Sequence, residues 1–251
     1  MAMLTIIVPV YNEHDSAPVL LENMATSIQT AFSVVMVYDS EGDSTIPAVK
    51  GMMDKLPFKV ELVRNMFGKG ALNAIKTGLN SAHGDALLVT MADNSDDLHD
   101  VDSMYQKFLQ GYDVVCGSRY VQGGQQIGGP RLKKFLSRLA GVSLHWLIGI
   151  PTHDVTNSFK MYSRKLIESV VPLESEGGFE IGMELTVKAY RRGFQVTEVP
   201  TKWTDRANGQ SNFHLWSWLP KYISWYIYAL YRHRRDRFVQ ELGDTKGETV
   251  G

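Results

Sequence analysis

Short apolar runs alternate with segments of helical spacing along the first half of the chain. Leu4–Val10 is a β-branched apolar run that suits a central parallel strand. Ser16–Thr30 follows with Val19, Leu20, Met24 and Ile28 toward one face, the spacing of a helix. The pattern repeats: strands are predicted at Ser33–Tyr38, Lys59–Val63, Ala86–Met91 and Asp113–Gly117, and helices at Thr45–Leu56, Ala71–Ser81 and Val101–Gln110. Strand–helix alternation of this kind predicts an α/β fold: a mostly parallel sheet, right-handed crossovers, and helices on both faces.

Parallel strands bring their carboxyl ends to one edge, where open α/β sheets bind ligands. Three of these strand ends are acidic or mixed polar, at Glu13, Asp39 and Asp93. The run VTMADNSDDL (Val89–Leu98) is the densest, with Asp93, Asp96 and Asp97 close together. Adjacent carboxylates repel unless a cation or a positive partner neutralises them. Two readings stay open here: an oxygen-ligand site for Mg²⁺ or Mn²⁺ carrying a diphosphate, and an acidic turn in which Asp97 or Asp100 caps the next helix. Gly68-Lys69-Gly70 opens the Ala71–Ser81 helix, a place suited to an anion although the Walker spacing is absent.

The second half changes character. Ser118–Pro130 is glycine-rich and reads as mobile. Arg131–Ile148 is predicted as a long helix whose first turns hold Arg131, Lys133, Lys134 and Arg138. A basic first turn opposes the helix dipole and points to an anionic partner. A helix over Gly178–Arg192, a strand over Gln195–Val199 and a polar loop over Pro200–Ser211 follow. Phe213–Tyr231 is crowded with aromatics and is followed at once by RHRRDR (Arg232–Arg237). This suits an amphipathic helix in a membrane interface, or one packed on the domain or on a second subunit.

Composition narrows the function classes. The 251 residues carry a formal net charge of -1, which gives no bias toward nucleic acid. The single cysteine, Cys116, excludes an internal disulfide framework and lies in an apolar run as a core thiol. No secretory leader is expected at Met1–Thr5, and no uninterrupted apolar stretch is long enough to span a bilayer. These features predict a cytoplasmic protein.

Several segments then occur together in order: VPVYNE (Val8–Glu13), the Tyr38-Asp39 strand end, GKGAL (Gly68–Leu72), MADNSDD (Met91–Asp97), GSRY (Gly117–Tyr120), DVTNSFKMYSR (Asp154–Arg164), GFEIGMEL (Gly178–Leu185), and the late Glu198–Ser211 stretch. The chain resembles inverting family 2 glycosyltransferases of GT-A (Rossmann-like) fold, especially the dolichyl- and polyprenyl-phosphate mannosyl- and glucosyltransferases. The resemblance spans about residues 4–212. It implies a glycosyltransferase domain over 1–212, with a nucleotide-sugar half (1–117) and an acceptor half (118–212). Residues 213–251 would form an interfacial helix and basic tail.

The resemblance also implies roles. Pro9, Tyr11, Glu13, Asp39, Lys69, Ala92, Asp93 and Arg206 would bind the nucleotide-sugar donor. Asp93, with Ser95, would hold Mg²⁺ or Mn²⁺. Arg119 and Lys133 would meet an acceptor phosphate, and Asp93, Arg119 and Asp154 would form the catalytic set. The first acid of the family's DxD motif is Met91 here, and a second arginine common in the late loop is replaced by Asn208. The implied partners are a nucleotide sugar of GDP-mannose or UDP-glucose type and a polyprenyl phosphate acceptor, at the cytoplasmic face of a membrane, with a homodimer as a further possibility. Two other readings stand beside this one. A saccharide hydroxyl acceptor would need a general base from among Asp154, Glu180, Asp96 and Asp97. A protein that binds nucleotide sugar without catalysis is the other.

Overall fold

The computed structural model describes residues 2–175, 178–205 and 215–231. Arg206, Asn208, Phe213 and the Arg232–Arg237 segment lie outside the described residues.

The core is a seven-stranded sheet. Its first strands are β1 (Leu4–Val10), β2 (Phe32–Tyr38), β3 (Val60–Arg64) and β4 (Ala86–Val89). Then come β5 (Val114–Ser118), β7 (Lys160–Ser163) and β8 (Val196–Pro200). Their spatial order is β3-β2-β1-β4-β7-β5-β8. All pairings are parallel except those of β7, which runs antiparallel to both β4 and β5. Every residue of β1 is buried, as a central strand covered on both faces requires.

Helices cover both faces. α1 (Ser16–Ser27), α2 (Thr45–Lys50) and α4 (Val101–Leu109) pack Leu20, Met24, Val49 and Met104 against Ile6 and Val8. On the opposite face α3 (Ala71–Ser81) joins two later helices, α6 (Arg164–Val170) and α7 (Ile181–Arg191). They bring Ile75, Leu166 and Leu185 against Ile7 and Leu87. The predicted Thr45–Leu56 helix stops at Lys50, and a short 3-10 turn over Met53–Lys55 completes the segment.

Two further helices pack together beside the sheet. α5 (Arg131–Ile148) coincides with its predicted span. It packs with α8 (Leu215–Tyr231) around a separate small core of Leu144, Ile150, Val155, Met183, Trp225 and Ala229. Gly141 lets α5 lie against the loop that follows it: a Cβ there would lie 2.0 Å from the His153 carbonyl oxygen.

The Ser118–Pro130 segment is structured rather than mobile. Its β6 (Gln125–Ile127) pairs in parallel with β9 (Lys202–Thr204), which lies inside the predicted late loop. Lys134 Nζ donates to the Gln126 carbonyl at 2.8 Å, and Tyr120 donates to the Gln126 side chain at 2.9 Å. The glycines serve the turns that make this pairing possible; Gly128 and Gly129 both have φ of 77°.

Candidate active site

β1 lies between β2 and β4, so the chain leaves it in opposite directions and a crevice opens at the carboxyl ends of β1 and β4. Register sharpens this opening. β4 pairs with β1 only as far as Ile7–Val89, and Pro9 lies beyond that point, where a missing N–H costs no rung with β4. The crevice widens into a cleft of about 1110 Å³.

One wall of the cleft gathers the predicted donor residues. Pro9, Tyr11, Glu13, Asp39, Lys69, Ala92 and Asp93 all line it. Local hydrogen bonds fix Glu13, Asp39 and the turns beside them. Asn12 takes the left-handed conformation, φ 55°, and its N–H donates to the buried Asp43 carboxylate at 3.1 Å. The Glu13 N–H donates to Thr45 Oγ1 at 2.9 Å, and the Glu13 carboxylate accepts from the Ser16 hydroxyl. Asp39 accepts from Asn65 at 2.8 Å and from the Gly70 N–H at 2.9 Å. It thereby ties the end of β2 to the first turn of α3. Gly70 sits at φ 111°, which a side chain would strain, and Lys69 is presented on the resulting turn.

The acidic run divides between two surfaces. Asp93 lines the cleft, and one of its oxygens accepts the Ser95 N–H at 3.1 Å. Ser95, Asp96 and Asp97 instead border a smaller depression on the other side of the turn. Asp97 does cap: its carboxylate accepts the His99 N–H at the start of the Leu98–Asp100 turn. Asp96 is bonded to the Thr90 hydroxyl at 2.9 Å. Burial, and then the Asp93 carboxylate, push its carboxyl up to about 7. Met91 packs against the core formed with α3 rather than supplying a ligand. Among the described residues no group of three His, Cys, Asp or Glu is arranged to hold a metal. Asp93 is nevertheless suited to an open site, in which a hard cation takes one carboxylate and fills its remaining positions with diphosphate oxygens and water.

The other wall is built by the second half. Arg119, immediately after β5, is almost fully enclosed, with 8% of its side chain exposed. Its Nε and Nη2 donate to the two Asp154 oxygens at 2.7 and 3.0 Å, and Nη2 also reaches Ser137 and Thr156 at 3.1 Å. Burial works against the charge on both partners. The ion pair outweighs it, holding Asp154 below the usual carboxylate range and raising Arg119 further. Arg119 lines the cleft, whereas Asp154 is wholly buried behind it and is not part of the lining. Asp154 therefore orients the guanidinium; its oxygens are spent on Arg119, the Asn157 N–H and the Thr156 hydroxyl. Glu180, another possible base, is also buried away from the lining. Lys133 lines the cleft from the first turn of α5, one turn before Ser137.

Beyond Lys133 the cleft becomes apolar. Leu136, Leu139 and Ala140 of α5 and Leu219, Tyr222, Ile223 and Tyr226 of α8 line it, together with Phe179 and Trp218. Ser143 and Tyr226 hydroxyls are bonded across it at 2.9 Å. Asp205, which the sequence did not single out, also lines the cleft beside Trp203. Nothing distinguishes one acid in a polar loop until β9 places it. Cys116 is buried as expected, and burial pushes its thiol up to about 11.

A switch-point crevice with Asp93 at one strand end, faced by the second half of the chain, is the architecture of a sugar-transferring enzyme of GT-A-like fold. The chain matches the model described as glycosyl transferase family 2 over residues 5–171, and it belongs to that family. It is 27% identical over 210 residues to the polyprenol monophosphomannose synthase of Mycolicibacterium smegmatis, covering 82% of this chain and 79% of that one. It is 28% identical over 214 residues to the dolichol-phosphate mannosyltransferase of Pyrococcus furiosus, covering 82% of this chain and 58% of that one. Among solved structures it resembles the glucosyl-3-phosphoglycerate synthase of Mycobacterium tuberculosis, crystallised with Mn²⁺, uridine-diphosphate-glucose and phosphoglyceric acid. The TM-score is 0.68 at 14% identity, with 91% of this chain and 80% of that chain covered. At that identity the likeness is one of fold.

Proposed function

We propose that this protein transfers a hexose, with inversion, from a nucleotide sugar of GDP-mannose or UDP-glucose type to polyprenyl phosphate. The observation that carries this reading is the division of the cleft. Its polar wall suits a nucleoside diphosphate, its far end between α5 and α8 is apolar, and Arg119 and Lys133 stand at the junction. A phosphate on an apolar chain matches that sequence of surfaces. The two synthases named above act, by their names, on polyprenol and dolichol phosphate, which supports the same acceptor class.

The chemistry follows from charge. Arg119, held rigid by Asp154, presents its guanidinium to the acceptor phosphate, and Lys133 adds a second cation. The phosphate oxygen is already anionic, so no proton need be removed before it attacks the anomeric carbon. The bond from that carbon to the diphosphate breaks on the opposite face, and the nucleoside diphosphate leaves with the electron pair. Lys69 lies on the donor wall, where it offsets part of that charge. Mg²⁺ or Mn²⁺ at Asp93, when bound, supplies electrostatic stabilisation of the departing diphosphate. The protein works peripherally, at the cytoplasmic face of the membrane; no helix among the described residues is long and apolar enough to cross it.

The test is direct. Purified protein, Mn²⁺ and a short-chain polyprenyl phosphate are incubated with GDP-mannose and with UDP-glucose, and the anomeric configuration of the product is read by NMR. An inverted glycosyl phosphate that is absent in Asp93→Ala is expected; no product from either donor overturns the proposal. Asp205 favours one second reading, a saccharide hydroxyl acceptor, because it offers a carboxylate on the cleft wall where Asp154 and Glu180 do not. Asp205→Asn should abolish transfer to a hydroxyl and spare transfer to a phosphate.

A further inference from the structure

α5 presents three faces. Gly141 and Leu144 are buried, Lys133, Leu136, Ser137 and Ala140 line the cleft, and a third face is turned outward. A soluble helix would place polar side chains on that third face. Here it carries Leu132, Phe135, Trp146 and Leu147, which are 50%, 62%, 78% and 65% exposed. α8 continues the pattern with Ile227, Leu230 and Tyr231 on its outer side. Leu139 and Ile223 are both exposed and part of the cleft lining, so the apolar interior runs without interruption over the rim onto this outer surface.

The charges on the two helices are one-sided. Neither contains Asp or Glu, while Arg131, Lys133, Lys134 and Arg138 occupy the first half of α5 and Lys221 lies on α8. In a chain of net charge -1 this is a local excess of cations around an apolar patch. Large aliphatic and aromatic side chains ringed by Lys and Arg are what an anionic lipid surface binds. A second copy of this chain would bring the same cations against themselves, which disfavours that occupant.

We propose that the outward face of α5, together with the outer side of α8, is the surface by which the protein seats on an anionic bilayer, with the apolar mouth of the cleft facing the lipid. This rests on the lipid-phosphate reading above and extends it. The predicted contact, the C-terminal aromatic segment alone, becomes a two-helix surface in which α5 supplies the larger part. The lipid acceptor then enters sideways from the bilayer, its phosphate reaching Arg119 and Lys133 without passing through water.

The test uses the full chain. Partition onto vesicles of phosphatidylcholine with phosphatidylglycerol is compared with partition onto phosphatidylcholine alone, for wild type, Phe135→Glu and Trp146→Gln. Neither residue lines the cleft. Wild type should bind the anionic vesicles more tightly, and each variant should lose about tenfold in partition, the equivalent of withdrawing one large apolar side chain from an interface. Transfer to a short-chain, detergent-dispersed polyprenyl phosphate should be unchanged in both variants, while transfer to a long-chain acceptor embedded in vesicles falls. Two results overturn the proposal: vesicle partition equal in wild type and variants, or a wild-type dimer in solution that Phe135→Glu dissociates with no loss of vesicle binding. If wild type transfers no sugar to either acceptor yet still partitions through this face, the acceptor reading fails and the surface stands. The thermal midpoint of each variant reports folding, and the two substitutions lie on well-separated turns, so both would have to unfold the protein to void the comparison.

Discussion

The two walls of the cleft are made differently. The wall proposed for the donor is built on strand ends, cross-linked by backbone N–H groups donating to carboxylates, Gly70 to Asp39 and Asn12 to Asp43. The acceptor wall is side chain, carried on α5 and α8 and anchored by one buried ion pair, Arg119 with Asp154. Asp93, which makes none of these cross-links, can therefore lose its carboxylate without untying the strand ends. On the acceptor wall function and stability rest on the same atoms.

The sharpest way to break this contrast is Arg119→Ala. It leaves the Asp154 carboxylate buried without its counter-charge, and breaking a buried pair costs about 3–5 kcal/mol. Chemical denaturation should show that loss, along with loss of transfer. Asp93→Ala comes next. It should lower the transfer rate by about 10²–10³-fold, the scale of removing one electrostatic stabiliser of a developing charge, while the denaturation midpoint stays unchanged. If Asp93→Ala destabilised as much as Arg119→Ala, the distinction between the walls would fall. Gly141→Ala is smaller: forcing a methyl against the His153 carbonyl must shift α5, at about 1–3 kcal/mol. Its thermal midpoint should drop, and acceptor KM should rise more than donor KM.

The smallest effect is one of pH. Asp96 has its carboxyl raised from 3.8 to about 7 in the folded chain. A folded state that holds this proton more tightly than the unfolded chain loses stability as pH rises from about 4 to about 7, then levels off. Asp96→Asn removes that slope. Denaturation of metal-free protein at pH 5 and pH 8 should show the variant gaining on wild type at the higher pH. An identical difference at both values would mean that Asp96 titrates normally.

The donor wall was largely legible in the sequence. Buried parallel strands are continuous apolar runs, and their abrupt polar ends mark the edge where ligands bind; Glu13, Asp39, Lys69 and Asp93 all reach it. The acceptor wall was legible only in part. β7 is four residues long and begins with Lys160, which reads as surface. It is fully buried because its ammonium turns back onto the carbonyls of Val155 and Asn157. β6 and β9 are three residues each, too short for a period to show. The aromatic run of α8 suggested one interfacial face, and packing divided it: Trp225 went into the small core, Tyr222 and Tyr226 into the cleft, Tyr231 outward. Ser95 and Asp154 do not line the cleft, and neither their direction nor their burial could be read without the fold.

The antiparallel course of β7 has one more consequence. Because β5 and β7 are neighbours running in opposite directions, the chain leaves the sheet at the end of β5 and returns to the same edge at the start of β7. Everything between, from Arg119 to Phe159, leaves and rejoins the sheet at two adjacent strands, and is held besides by β6 on β9 and by α5 on α8. Arg119 and Asp154 fasten its neck like a buckle. Such an insertion can change in length without rethreading the sheet, so long as the buckle and the contacts with β9 and α8 are kept. On the proposed reading, the fold thus keeps what is activated and what receives it on separate stretches of chain.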